Sequence, residues 1–387
     1  MKVKGFLKDI SGIFRIKKIR KEKIEKANGE IVKPDRVYEL AKSLHPGKFK
    51  AVVSDIVSET KDAKRITFAS KDIPYFKAGN YLTVELEIGN SIVTRPYSIV
   101  SSPLKSFKEK TIDIIVKDYK EGFVSHYLNN QLRVGDEVTL EVGLGFFNYE
   151  EFRDTKNIVA IAGGVGITPF ISMAHDIVER NLDINLTILY GSDNPKEIIA
   201  KQELDMLMQD NIKVVHVISG NYPYKGEKGF INADIIKRYT KAKPTYFICG
   251  PKIMYDKIIA ELAANHVDLR RIRAEAFPIE DITTHPEFPK ELNDQDFEIE
   301  VHQGTSISRI RGKASESIAT ALERSGLRIH TSCRAGSCGV CRIKVLEGTY
   351  FIPIENDHRR AIDKEYNYVH SCSTYPTSNL KIKININ

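Results

Sequence analysis

The amino-acid sequence predicts a multidomain chain: an antiparallel β-barrel, then an α/β unit built on a parallel sheet, then a small α+β unit. Three observations carry this expectation. Between Phe49 and Phe152 the chain reads as short β-rich runs separated by turn residues; from Asn157 compact apolar strands alternate with helical stretches; and four of the five cysteines lie between 333 and 372. At 387 residues the chain has room for two or three ordinary cores. Hydrophobic residues make up 42% and charged residues 28%, the balance of a soluble globular protein. No run of about 18 apolar residues occurs, so no membrane-spanning helix is expected. The N-terminus lacks an uninterrupted apolar stretch and a small-residue cleavage site, which points to a cytoplasmic location.

The expected boundaries are 1–48 for a basic helical extension, 49–154 for the barrel, 155–277 for the parallel-sheet unit, 278–296 for a linker and 297–387 for the α+β unit. In the extension Phe6, Leu7, Ile10, Ile13 and Phe14 recur at helical spacing among lysines, and a second helical piece is expected over Asp35 to Leu44. The formal net charge of +7 belongs to this segment: residues 1–48 hold 14 Lys and Arg against 6 Asp and Glu, so the remainder is close to neutral. Basic charge confined to one segment, without interleaved aromatic residues, argues against nucleic-acid binding. It leaves three roles for the extension: packing on the body of the protein, docking to an acidic partner, or lying on a membrane surface.

The barrel rests on "KAVVSDIVS", "KRITFAS", "YLTVELEI", "TIDIIVKDY" and "DEVTLEV", each short, β-branched and bounded by turn residues. Within it "TRPYSIVSS" sets Arg95, Tyr97 and Ser98 at the end of a strand. In "EGFVSHYLNNQLRVGDEV", Gly122 and Ser125 open an amphipathic helix whose free amides and hydroxyl suit a pyrophosphate. The parallel sheet rests on "NIVAIAGG", "NLTILYGS", "IKVVHVIS" and "PTYFICGP", with "PFISMAHDIVER" and "KIMYDKIIAELAANH" as intervening helices. In "AIAGGVGITPFISM", Gly163, Gly164 and Gly166 stand between a strand and a helix capped by Thr168, with Pro169 at its first turn. That layout brings backbone close to a dinucleotide phosphate, although the same turn also serves as a plain tight connection.

"PIEDITTHPEFPKELNDQD" is rich in Pro, Asp and Thr and lacks periodicity, which reads as a flexible linker. Beyond it "FEIEVHQ", a helix around Ala314 to Ser325, the loop "TSCRAGSCGVCRIK" and "NLKIKI" form the α+β unit. An odd number of sparse cysteines does not build a disulfide scaffold. Zinc sites favour C-x2-C pairs, whereas Cys333, Cys338, Cys341 and the distant Cys372 follow C-x4-C-x2-C…C, the spacing of a plant-type [2Fe-2S] centre. Ala335, Gly336, Ser337 and Gly339 give the loop the freedom to turn its amides toward the sulfurs.

On "SCRAGSCGVCRIKVLEG" and "HSCSTYP", residues 297–387 resemble the plant-type ferredoxin family. The resemblance implies a β-grasp domain with Cys333, Cys338, Cys341 and Cys372 as ligands of a one-electron centre. Residues 49–277 are similar to the ferredoxin-NADP reductase family through "TRPYS", "GFVS", the glycine turn, "YGSD", "FICGP" and "AEAF". The implied barrel holds a flavin, FAD in preference to FMN. Arg95 would pair with the flavin phosphate, Tyr97 would stack on the ring and Ser98 would bond near its reactive nitrogen. Gly122, Val124 and Ser125 would hold the pyrophosphate, and Thr168 and Phe277 would also lie against the flavin. Gly163, Gly164, Gly166, Asp193, Cys249, Gly250 and Pro251 would bind NAD(P)H, with Ser98, Cys249 and Glu275 as the catalytic set. For Cys249 a buried strand thiol, and for Glu275 a solvated strand-end carboxylate, remain as alternatives.

Asp193 after the second strand suits a ribose 2′-hydroxyl and favours NADH, while Lys225 and Lys228 could meet the 2′-phosphate of NADPH. Nicotinamide delivers electrons as hydride and the cluster carries one at a time, so a flavin must stand between them. The resemblance therefore implies an NAD(P)H-dependent reductase that passes electrons through FAD and [2Fe-2S] to an external redox protein. It matches the reductases of multicomponent oxygenases and of hybrid-cluster proteins alike, and abundant Lys, Ile and Asn with no Trp weigh against an oxygenase acceptor. Two other readings stay open: a subunit of a larger redox complex docked through the basic extension, and a redox-sensing module without its own NAD(P)H turnover.

Overall fold

The computed structural model describes residues 4–25, 47–119, 122–240, 243–275 and 281–384. The chain divides into two units, Met1–His45 and Pro46–Asn387. The first contributes helix α1 (Lys4–Glu25), on which Ile13, Phe14, Ile16, Ile19 and Ile24 are exposed. The second helical piece expected over Asp35 to Leu44 lies outside the described residues.

In the second unit, strands β1 (Lys48–Thr60), β2 (Ala63–Ala69), β3 (Tyr81–Ile88), β4 (Ser91–Ser98), β5 (Thr111–Lys117) and β6 (Glu137–Leu144) form one sheet in the order β4-β3-β6-β1-β2-β5. Every pairing is antiparallel. A bridge between Ile99 and Ile114 joins the two edges and closes the barrel. The alternation read from the sequence puts Ile66, Phe68, Leu82, Val84 and Leu140 inside. Helix α2 (Pro103–Glu109) starts at Ser102, whose hydroxyl accepts from the Lys105 amide. Helix α3 (Phe123–Asn130) buries Val124 and Leu128 in the barrel core.

The parallel sheet contains β7 (Asn157–Gly163), β8 (Asn185–Ser192), β9 (Ile212–Ile218), β10 (Glu227–Lys228), β11 (Thr245–Cys249) and β12 (Ile272–Glu275), in the order β10-β9-β8-β7-β11-β12. Helices α4 (Thr168–Arg180), α5 (Lys201–Leu207), α6 (Ala233–Tyr239) and α7 (Lys252–Ala264) cover it. The helix cap expected at Thr168 does not form. Gly164–Ile167 is a 3₁₀ turn, Ile167 occupies the cap position, and the Thr168 hydroxyl donates to the Val165 carbonyl at 3.0 Å. A β-branched hydroxyl already inside the first turn bonds back to the preceding carbonyl rather than to the free amides ahead of it.

The C-terminal sheet has the order β14-β13-β19-β15-β17, from β13 (Asp296–Gln303), β14 (Ser306–Lys313), β15 (Arg342–Glu347), β17 (Tyr368–His370) and β19 (Leu380–Ile384). The short strands β16 (Tyr350–Phe351) and β18 (Tyr375–Pro376) pair separately. Strand β14 is an edge, and Arg309, Arg311 and Lys313 are exposed on it. Helix α8 (Ile318–Arg324) begins later than expected because Ser317 caps it, its hydroxyl accepting from the Thr320 amide at 3.3 Å. A last short helix, α9 (Ala361–Glu365), precedes β17. The described part of the linker, 281–296, is also more ordered than its composition suggests: Ile282 and Phe288 are buried in a cluster with Ala314 and Tyr375 of the α+β unit. Two isolated apolar anchors hold it there without any periodic pattern.

Candidate functional site

The C-terminal ends of the parallel strands meet the end of barrel strand β4. Cys249 ends β11 and is in register with Ala162 of β7 and with Glu275, which ends β12. Ser98, the last residue of β4, donates from Oγ to Glu275 Oε2 at 3.4 Å. Three side chains from two sheets therefore converge, at the strand ends where open α/β sheets place their ligands. Burial pushes the Glu275 carboxyl up to about 7, with the Ser98 hydroxyl opposing the rise. The Cys249 thiol has no exposed surface, and burial followed by the Glu275 charge raises it well above its usual range.

The glycines have separable reasons. A Cβ on Gly166 would lie 2.2 Å from the Cys249 carbonyl oxygen, and one on Gly163 would lie 2.8 Å from the Met254 sulfur. One on Gly250 would lie 2.4 Å from the Met254 Cε. These three let neighbouring strand ends pack closely. Gly164 differs: its φ is +54° and a Cβ there would meet nothing within 4 Å, so its bare backbone faces open space. Asp193 follows β8, exposed, with the Ser219 hydroxyl 3.4 Å from its carboxylate. Pro251 precedes α7 at its cap position, and Lys225 and Lys228 are exposed.

On the barrel, Tyr97 pairs with Leu82 and packs against the barrel core, and burial raises its hydroxyl. Gly122 opens α3 without a side-chain cap. Ser125 donates to the Gly122 carbonyl at 3.3 Å, Val124 turns its side chain into the core, and Gly122 supplies no side-chain cap to the first amides of the helix. Arg95 is not free: its guanidinium lies 2.9 Å from Glu323 Oε2 of α8. Phe277 lies outside the described residues.

The four loop cysteines stand as two pairs. The Cys341 and Cys372 sulfurs are 3.2 Å apart, while Cys333 Sγ accepts from the Cys338 amide at 3.4 Å and from the Ser337 hydroxyl at 3.3 Å. Among the described residues no group of three or more His, Cys, Asp and Glu side chains gathers on a single ion position. Two cysteine pairs suit a two-iron cluster, in which each iron takes two thiolates. Donation from the Cys338 thiol, with Ser337 and loop amides behind it, holds the Cys333 thiol well below its usual range. Cys341 and Cys372 are buried and Cys338 is exposed, so one side of the loop opens to solvent.

Sequence reasoning missed the residues that join these regions. Tyr81, in register with Ser98, shares a 2.9 Å hydrogen bond with Ser332, the neighbour of Cys333. Glu323, 1% exposed, receives Arg334 of the cysteine loop at 2.7 Å as well as Arg95. The only signal for either was position: Tyr81 opens a barrel strand and Arg334 sits between cysteines.

Three family models match in the same order. "Oxidoreductase FAD-binding domain" covers residues 50–149, "Oxidoreductase NAD-binding domain" 160–259 and "2Fe-2S iron-sulfur cluster binding domain" 291–377. The glycine betaine monooxygenase reductase subunit of Chromohalobacter salexigens is 27% identical over 85% of this chain and 93% of that one. The plasma membrane-associated coenzyme Q6 reductase of Saccharomyces cerevisiae is 30% identical over 55% of this chain and 70% of that one. The solved structure of phthalate dioxygenase reductase shares the fold, with a TM-score of 0.65 at 20% identity over 88% of this chain and 98% of that one.

Fold and matches define a flavin-dependent iron-sulfur oxidoreductase. The chain belongs to the ferredoxin-NADP reductase type of flavin oxidoreductase, in the form that carries a C-terminal plant-type [2Fe-2S] ferredoxin domain. It passes electrons from NAD(P)H by way of FAD to the cluster and on to a partner redox protein. Among the described residues no helix is long and apolar enough to cross a membrane.

Proposed function

We propose that this chain is the NADH-dependent reductase component of an oxygenase system. The observation that carries the reading is the continuity of the site: Ser98 meets Glu275, the register partner of Cys249, on one side, and its strand neighbour Tyr81 reaches Ser332, next to Cys333, on the other. A flavin held there by these residues would supply the conversion between a two-electron hydride donor and a one-electron cluster.

The chain's own residues do the placing. Arg95 and the first turn of α3 at Gly122, Val124 and Ser125 hold the phosphates, the Gly122 amide itself being taken by the Tyr119 carbonyl at 2.7 Å, and Tyr97 covers the ring. Ser98 and Glu275 fix hydrogen bonds at the reacting edge, and Cys249, Gly250 and Pro251 seat the nicotinamide against it. The open backbone of Gly164 approaches the pyrophosphate, and Asp193 takes the adenosine ribose and disfavours a 2′-phosphate. Cys333, Cys338, Cys341 and Cys372 hold the cluster, and the exposed Cys338 and Val340 form the exit edge.

The oxygenase acceptor is favoured by the reductase subunits of glycine betaine and carnitine monooxygenases among the relatives, which outweigh the compositional argument against it. A cytoplasmic location fits this role. Helix α1, basic with exposed isoleucines, is read as a docking arm toward the acceptor.

The test is an anaerobic titration of the reconstituted full chain with NADH and, separately, NADPH, followed at the flavin and cluster bands. Bleaching of both bands with tighter response to NADH is expected. A flavin that bleaches while the cluster never does would overturn the electron chain; equal response to NADPH would overturn the role of Asp193. Deleting residues 1–45 should spare dye reduction and impair reduction of the native oxygenase component; equal reduction of both would remove the docking role.

A further inference from the structure

We propose that Glu323 is a positioning residue that couples flavin binding to ferredoxin docking, by holding Arg95 of the barrel and Arg334 of the cysteine loop in one alternating row of charges. The inference rests on the reading above that Arg95 serves the flavin phosphate.

Both oxygens of Glu323 are committed across the seam. Oε2 accepts from Arg95 at 2.9 Å, and Oε1 accepts from Arg334 at 2.7 Å and from the Thr94 amide at 3.4 Å. Arg334 also donates to Thr320 Oγ1 at 3.2 Å, and Arg95 to the Thr94 carbonyl at 2.9 Å. Glu323 is 1% exposed and Arg334 7%. A carboxylate so buried persists only because it is paired.

One carboxylate between two guanidinium groups leaves a surplus positive charge. Arg334 directly follows Cys333 in the cysteine loop, so the cluster would lie at its end of the row. Among the described residues Arg95 forms its ion pair with Glu323, which Arg334 shares. A flavin phosphate at the Arg95 end would balance the surplus charge. Complete, it runs phosphate, Arg95, Glu323, Arg334, cluster, with signs alternating throughout. Without Glu323 the two arginines face each other, and the ferredoxin unit loses its alignment to the flavin.

The test uses the full chain reconstituted with FAD and cluster. For E323Q, FAD should stay bound and NADH should bleach it at a rate within about twofold of the parent, while cluster reduction slows by about tenfold or more. The cluster's own visible and EPR signatures should not change, and Glu323→Asp should recover part of the rate. Hydrogen exchange on the flavin-stripped parent chain supplies a second readout. FAD should protect residues 318–334 more than riboflavin, which lacks the phosphate. This arm decides the matter even if E323Q fails to accumulate. Normal cluster reduction in E323Q, or equal protection by FAD and riboflavin, sinks the coupling while leaving the flavin site intact. Failure of FAD to bind, or of NADH to bleach it, removes the flavin assignment and the coupling together.

Discussion

The seam between the barrel and the parallel sheet has an apolar core with polar links around it, whereas the seam between the barrel and the ferredoxin unit is held by polar contacts. At the first, Ala63, Val100, Ile115 and Phe147 belong to the same buried cluster as Phe170, Ile171 and Phe247. The Phe147 ring lies 5.2 Å from Phe247 and 5.8 Å from Phe170. The buried pair Arg273–Asp154, at 2.6 Å, ties β12 to the segment after the barrel. At the second, contact runs through Glu323 with its two arginines, the Tyr81–Ser332 hydrogen bond and the 3.5 Å pair Arg328–Glu85. Hydride transfer needs reacting atoms within about 3–3.5 Å, which a shared core enforces. Passing single electrons makes no such demand on contact, so a hydrogen-bonded seam suffices.

Four experiments break or sharpen that contrast. The largest effect is expected from Arg273→Ala, which leaves the Asp154 carboxylate buried and unpaired and should cost about 3–5 kcal/mol in urea unfolding. A loss under about 1 kcal/mol would show that the first seam does not depend on it. Next, Gly166→Ala forces a Cβ toward the Cys249 carbonyl oxygen at 2.2 Å. It should cost about 1–3 kcal/mol, because the β11 end must shift, and on the proposed role of that strand end it should raise the KM for NADH. An unchanged KM would separate strand packing from nucleotide binding.

Glu275→Gln tests the burial of the carboxyl that ends β12. Its folded pKa of about 7 lies above the ordinary 4.5, so the native state binds more protons than the unfolded chain between those values. Stability should therefore fall as pH rises from about 4.5 to 7, by roughly 1–3 kcal/mol, and then level off. E275Q should flatten this slope in thermal unfolding; an identical slope would place the titrating group elsewhere. The smallest effect is expected from Arg328→Ala, whose pair with Glu85 is half exposed. Its loss should cost under about 1 kcal/mol, and a larger loss would mean that the polar seam is cooperative.

The cofactor chemistry was legible because it is written locally. Three of the four cluster cysteines, the glycine turn and the strand ending "FICGP" each occupy one short run, and the fold brings those runs together without altering them, adding the distant Cys372 to the first. The seams were not legible. Glu323 lies 228 residues from Arg95 and 11 from Arg334, and nothing in "IATALERSG" distinguishes its acid from an exposed one. The same holds for Ile282 and Phe288, single apolar anchors in a stretch whose composition reads as linker. Thr168 shows the finer limit: the residue type allowed a cap, but the 3₁₀ turn before it moved the cap position to Ile167.

Edge strand β14 carries one more consequence. The barrel hides its edges by closing through Ile99 and Ile114, but among the described residues no strand pairs with the outer side of β14 in the C-terminal sheet. Such an edge is a template onto which a strand of another molecule could add, seeding aggregation at high concentration. The exposed side chains of Arg309, Arg311 and Lys313 put three positive charges along that strand, so two copies meeting edge to edge repel before their backbones can pair.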